Sequence, residues 1–481
     1  MSTPTTGRRA ATRPRRQLGR DAVIALGVLV VAGCLLLTAG LVRAEPEAAS
    51  RPGTTLVDHV STACFGSPAA GSTTAQTFAA PLPDVAAGGG SSLEVGSLGD
   101  EARPVKEASR GQLQKVEAPA RGSATGVTAT GVTATGSAAV GRATFQVDAS
   151  EESASLAAQE CAAPRARWWF TGGGAGLDHT SDLLLANVDP GPAVVDVTVH
   201  GPTGLVDSPN TRGITIAPGE VRRLELIEIA PQTDELAVHV EASGGRVVAG
   251  LADELATTPA AAPGIEWVPP QAEASRVVRL APLPRQADSR TLVIANPGGR
   301  EALVGLEVSG ASGAFAPTEA AQVRVPPGAV MTTDLGAAIG RDASAVLLRS
   351  PVPITATVRS SLGDDVSYAA PVPVLNGAAA AVLADNARSD VVLTAGETGA
   401  MAGVTAYSAR GEELGSKDLK LEPTATLAYN PPGRASYVVV TPRRGQVFGG
   451  VSMAGDGGVT QIPLRPLPVV LRRPAVEPVL R

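Results

Sequence analysis

The chain is poor in the residues that do chemistry. Its 481 residues hold four histidines, three cysteines, six Phe, four Tyr and three Trp, and only 18% are charged. So few imidazoles and thiols leave little for a metal cage or a histidine-based active site. His59, His179, His200 and His239 form neither H-x-H nor H-E-x-x-H. The hydrolase elbow G-x-S-x-G is absent; its nearest string, Gly450-Val451-Ser452-Met453-Ala454, lies in an expected strand rather than a strand–turn–helix. No D-x-D-x-D-G calcium loop occurs. Gly172-Gly173-Gly174-Ala175-Gly176 is not G-x-G-x-x-G, because Leu177 takes the last glycine position; it reads as a loop beside a strand, not a phosphate cradle. The adjacent pairs Glu151-Glu152, Asp253-Glu254 and Asp364-Asp365 would point to opposite faces of a strand and make no glycosidase pair by themselves. The sequence predicts no enzyme, no cofactor and no metal.

What is present is aliphatic. The hydrophobic fraction is 44%, and Gly plus Pro make about a fifth, below the roughly 25–30% of low-complexity chains. A core of Val, Leu, Ile and Ala is expected. The net charge of −6 is uneven: residues 1–20 carry six arginines and no acid, so the rest sums to −12. An acidic body argues against nucleic acid, whose phosphates require cations.

Residues 22–42 are an unbroken apolar run, AVIALGVLVVAGCLLLTAGLV, long enough for a membrane-spanning helix. Six arginines before it and Arg43 after it predict a cytoplasmic N-terminus and an extracytoplasmic bulk. A cleaved signal peptide, a lipoprotein box at Val31-Ala32-Gly33-Cys34 and a twin-arginine signal are the rival readings. Outside the run stand two cysteines, Cys64 and Cys161; in an oxidising compartment they are expected to pair.

The expected organisation is a basic tail (1–21), a transmembrane helix (22–42), a stalk (43–53), a low-complexity β-rich domain with the disulfide (54–165), three β-sandwiches (166–275, 276–375, 376–465) and a Pro-rich tail (466–481). Within 54–165 lies a direct repeat, GVTAT at 126–130 and 131–135, and residues 151–160 suit one short helix. From Trp168 the chain repeats with a shift of 109 residues. Leu183-Leu184-Leu185-Ala186-Asn187 falls on Leu292-Val293-Ile294-Ala295-Asn296, and Ala193, Val195, Val199, Pro218 and Gly219 meet the same residue types at 302, 304, 308, 327 and 328. Val195, Val197 and Val199 alternate with polar neighbours, as do Val304, Leu306 and Val308, which marks half-buried strands. A hairpin is expected over 236–250 and again over 344–358, turning at Ser350-Pro351. A weaker third copy runs through 391–448. The fold class is therefore all-β, with tandem immunoglobulin-like β-sandwich modules behind one transmembrane helix.

Four residues are candidate ligand contacts. Trp168 and Phe170 share one strand face and Trp169 takes the other, so one face is core and the other is free for a sugar or a partner. Asp178 and His179, in Asp178-His179-Thr180-Ser181-Asp182, collect a base, hydroxyls and carboxylates on one expected solvated turn. His200 and His239 lie on expected outward faces, and Trp267 is a candidate interdomain plug.

Cys161-Ala162-Ala163-Pro164 followed by Trp168-Trp169-Phe170-Thr171-Gly172-Gly173-Gly174 and the Leu-Ala-Asn turn resembles a family of uncharacterised actinobacterial membrane-anchored envelope proteins. The resemblance implies one N-terminal membrane helix, a β-rich exported part, no assigned activity and a place near envelope glycan assembly. The functional expectation is a non-catalytic structural or adaptor protein of a bacterial cell envelope, held in the membrane by 22–42 and binding envelope proteins or wall glycan. Glycan-binding modules, with Trp169 or Tyr407, Tyr429 and Tyr437 exposed in a row, are the alternative; an envelope hydrolase working through Asp178 and His179 is the second.

Overall fold

The computed structural model describes residues 154–467 with breaks at 259–261, 319, 337–338, 385–386 and 456–457. It also describes 23–33, shorter segments between 53 and 149, and 470–473. The polypeptide forms two compact units, one of residues 1–55 and 471–481 and one of residues 56–470. In the first, residues 23–33 are helical with exposed apolar side chains. No helix among the described residues is long and apolar enough to cross a membrane; residues 22 and 34–52, the rest of the expected span and most of the stalk, lie outside the described residues.

The larger unit is all-β: its strands are gathered into several antiparallel sheets. Four consecutive stretches repeat one topology. The fourth stretch shows it most plainly. Ala379–Val382, Tyr437–Arg444, Ala400–Tyr407 and Glu413–Leu421 form one sheet in that order; Thr426–Tyr429, Arg388–Ala395, Val447–Gly455 and Gly458–Pro463 form the other. By chain position within the block the orders are first–sixth–third–fourth and fifth–second–seventh–eighth. The block from His59–Phe65 to Ala154–Glu160 has the same two orders. So do the blocks from Arg167–Ala175 to Gly264–Val268 and from Ser275–Leu283 to Asp365–Ala369, whose fourth position is split into two short strands. The second, third and fourth blocks each hold a buried aliphatic core.

The repeated asparagine explains part of the sequence periodicity. Asn187 is fully buried; its Nδ2 donates to the Gly191 and Ile216 carbonyls, and its Oδ1 accepts from Asp189 N–H. Asn296 does the same with Arg300, Val325 and Gly298. Each satisfies backbone groups where a strand leaves the core.

Two expectations are corrected. Residues 154–160 of the expected helix are not helical: Ala154–Glu160 is a strand paired along Arg142–Ala149, with Leu156, Ala157 and Ala158 all buried. Pairing and two-sided burial override the helix-favouring composition. Nor does the third block turn at Ser350-Pro351. One strand, Ser344–Leu362, pairs in its first half with Ser275–Leu283 and Ala302–Gly310 and in its second with Ser289–Ala295 and Asp365–Ala369, passing from one sheet to the other without a hairpin.

The closing strands of the four blocks meet. Ala154–Glu160 and Asp365–Ala369 each contact both Gly264–Val268 and Gly458–Pro463, and also touch each other. The last three are buried along their whole length. Each block touches the next, and the fourth returns to the first. Past its closing strand, each block pairs back onto its own opening strand, at Ala63↔Ala162, Trp169↔Gln271, Leu280↔Pro371 and Ala379↔Pro466. In the first block this junction also carries the Cys64–Cys161 disulfide.

Candidate functional site: two buried acid clusters

His179 begins the strand His179–Ala186, which pairs with Val248–Leu255 so that His179, Ser181 and Asp253 come together. Its ring Nε2 lies 3.0 and 3.2 Å from the two Asp253 carboxylate oxygens, and its Nδ1 lies 2.5 Å from the Asp234 carbonyl. Both nitrogens thus face acceptors, the arrangement of an imidazolium donating twice. Burial would drive the proton off, but the Asp253 charge and hydrogen bond outweigh it and hold the His179 pKa above its ordinary value. Burial would likewise raise Asp253. His179 and the hydroxyls of Ser181 and Tyr368 overcome that and keep it below the usual carboxylate range.

Ser181 Oγ donates to Asp253 at 2.5 Å and accepts from Gly174 N–H at 2.8 Å. Tyr368, from the third block, donates to Asp253 at 2.5 Å. Beside it Arg359 donates to Glu235 at 2.6 Å, and Tyr368, Glu235 and Asp253 raise its pKa against the opposing effect of burial. The glycine run is the negative of this cluster. A Cβ on Gly173 would stand 2.9 Å from Ser181 Oγ, one on Gly174 would enter the His179 ring, and Gly172 has φ +111° against Thr357 and Tyr368. These glycines lie in the strand Arg167–Ala175, bulged against Thr233–Gly244, not in a loop.

The geometry does not make a nucleophile. Ser181 gives its proton to the carboxylate, not to the imidazole, and His179 has no free nitrogen to take one. His179, Ser181 and Asp253 are 4%, 4% and 0% exposed. The expected solvated turn is corrected: Asp178 is exposed, whereas His179 is buried across the seam between the second and third blocks.

The second cluster lies where the closing strands meet. Glu266 Oε1 accepts from Ala158 and Trp267 N–H at 3.0 and 2.8 Å, and its Oε2 accepts from Thr460 at 2.5 Å. Asp365 Oδ2 accepts from Leu156 and Val459 N–H at 3.2 and 2.7 Å. Each carboxyl ties backbone or side chains of other blocks to its own. Neither has a cation at hand, so burial dominates: the Glu266 pKa lies well above the ordinary value and Asp365 is pushed up to about 7. Gly458 is required here, since a Cβ would stand 2.6 Å from Leu156 N and 3.0 Å from Asp365 Oδ2.

The aromatic expectations divide. Trp168 and Phe170 are fully buried in the second block's core. Trp169 is 7% exposed, stacked on His239 at 4.2 Å and tilted toward His200 at 5.5 Å, so it presents no open platform. His200 is buried rather than outward, its Nδ1 2.9 Å from the Gly328 carbonyl of the third block. Tyr407 and Tyr437 are buried against each other and Tyr429 is half-buried; they form no exposed row. Trp267 stacks on Phe65 of the first block at 5.8 Å. Sequence reasoning missed Tyr368, Arg359, Glu235 and Glu266; the rarity of tyrosine in this chain was the available signal for Tyr368. No group of three His, Cys, Asp or Glu able to hold a metal occurs among the described residues.

A family model described as a family of unknown function, DUF5719, matches residues 115–432, about two thirds of the chain. The chain belongs to this family. The DUF5719 match begins in the first block, spans the second and third whole and ends in the fourth, so it includes His179, Asp253, Glu266 and Asp365. No curated protein matches the chain.

Proposed function

We propose that this DUF5719 protein is a non-catalytic scaffold or adaptor of a bacterial cell envelope, actinobacterial by its Trp-Trp-Phe and Gly-Gly-Gly signature. In this reading residues 22–42 anchor it in the membrane and its four blocks are β-sandwich modules outside the cell. One observation carries the reading: the acidic side chains at both clusters are spent on holding blocks together. Asp253 bonds Tyr368, Asp365 bonds Leu156 and Val459, and Glu266 bonds Ala158 and Thr460. Such groups position backbones; they do not meet a substrate. The exposed apolar helix at 23–33 and a disulfide are what an anchored, exported chain would carry.

Envelope proteins or wall glycan are the partners this reading expects, met through edge strands and interstrand loops. Cross-linking and mass spectrometry on intact cells tests it. Cross-links from exposed residues to envelope proteins or glycan are the expected result; recovery of the protein in the cytosol, cross-linked to cytosolic proteins, contradicts it.

A further inference from the structure

A cavity of about 250 Å³ opens where the first, second and fourth blocks meet, bounded by the disulfide junction. It exceeds the roughly 150 Å³ that accepts a benzene ring in an engineered core. Its walls are chiefly apolar, with Phe65, Trp168 and Trp267 among them. Polar groups interrupt these walls, with Thr62, Gln159, Glu160, Arg165, Gln461 and Arg465 among them. The Arg165 guanidinium lies 5.1 Å over the Trp168 ring and feels the charges of Arg465 and Glu160, both also in the wall. Neighbouring Arg465 is different, engaged by Glu160 at 3.1 Å and the Pro270 carbonyl at 2.9 Å. Trp267 Nε1 and Gln461 Oε1 are both buried without a hydrogen-bond partner, although a buried indole N–H ordinarily finds one.

An apolar hollow with two arginines against one carboxylate in its wall, and a lining tryptophan whose N–H has no partner, has the composition of a small-ligand site. The excess positive charge selects an anion, through the charge-assisted fork that guanidinium offers a carboxylate. The aromatic walls select an apolar body. We propose that this cavity binds a small amphipathic carboxylate, its headgroup on Arg165 and its hydrocarbon against Phe65, Trp168 and Trp267. This goes beyond the scaffold reading: it gives the molecule a ligand.

Two of the three tryptophans stand in the wall, so quenching of tryptophan emission by bromodecanoate reports occupancy. The assay uses the full chain in lipid nanodiscs, with bromodecanol as the uncharged counterpart. Two variants accompany it: Arg165→Gln, and Ala163→Trp at an exposed lining position. Near-ultraviolet circular dichroism checks that both remain folded. The expected result is saturable quenching by bromodecanoate, with the midpoint raised at least tenfold by Arg165→Gln or by the alcohol, and binding lost in Ala163→Trp. Quenching that rises linearly without saturation, or identical curves for wild type and Arg165→Gln, overturns the proposal. Should Arg165→Gln not fold, equal affinity for acid and alcohol does so instead.

Discussion

The two buried acid clusters are built from the same functional group and behave oppositely. Asp253 faces an imidazolium and two hydroxyls and is held ionised; Asp365 faces backbone N–H groups at similar depth and is held toward its neutral form. Burial penalises both charges, and what decides is the presence of a cation within hydrogen-bond reach. The first cluster is a charged seam between two blocks. The second is a clamp at the meeting of four, and it is strongest when protonated.

The largest expected effect breaks the charged seam. Asp253→Asn leaves the buried His179 without its carboxylate and costs about 3–5 kcal/mol in urea unfolding at pH 7. A loss below about 1 kcal/mol would show that the seam is not an ion pair.

The next separates the clusters by pH. Asp365 has a folded pKa of about 7, above the ordinary aspartate value of 3.8. Between these values the native state binds more protons than the unfolded state, so its contribution is full below about pH 4 and is lost as pH rises to about 7. The loss is up to ~4 kcal/mol at 1.36 kcal/mol per unit. Glu266, also raised, acts with the same sign. Asp365→Asn keeps an acceptor for Leu156 and Val459 and removes the titration. Denaturant unfolding from pH 4 to 8 is expected to show a shallower decline in this variant than in wild type; parallel curves would place the ionised form in the clamp. Asp253, with its depressed pKa, contributes the reverse, losing stability only as pH falls below the ordinary carboxylate range.

The smallest effect concerns buried polar groups with no charge at all. Asn187→Ala and Asn296→Ala each strand the same set of backbone groups and are expected to cost a similar ~1–3 kcal/mol. A loss in one copy alone would mean that the two asparagines do different work.

How much of this was legible in the sequence differs between the same regions. The strands from Trp168 onward were readable because Val195, Val197 and Val199 bury one face only, which leaves a period of two. The closing strands bury both faces, so Gly264-Ile265-Glu266-Trp267-Val268 and Gly458-Val459-Thr460-Gln461-Ile462 carry no alternation to read. That is why the clamp was missed while its neighbours were found. The first block shares the topology of the others, but Ala-, Gly- and Thr-rich strands such as Ala124–Thr130 give no matching side-chain pattern; only their pairing order reveals the repeat. His179 was selected for its polar neighbours in sequence, yet its partner Asp253 lies 74 residues away and Tyr368 comes from another block. A seam between blocks leaves no local spacing.

The central claim is that four blocks act as one body clamped at their closing strands. Hydrogen exchange followed by mass spectrometry at pH 6, resolved to peptides covering Ala154–Glu160, Gly264–Val268, Asp365–Ala369 and Gly458–Pro463, tests it most directly. The account predicts that all four are among the slowest amides and open with one common free energy. Independent opening, with Ala154–Glu160 exchanging freely while Gly264–Val268 stays protected, would contradict it.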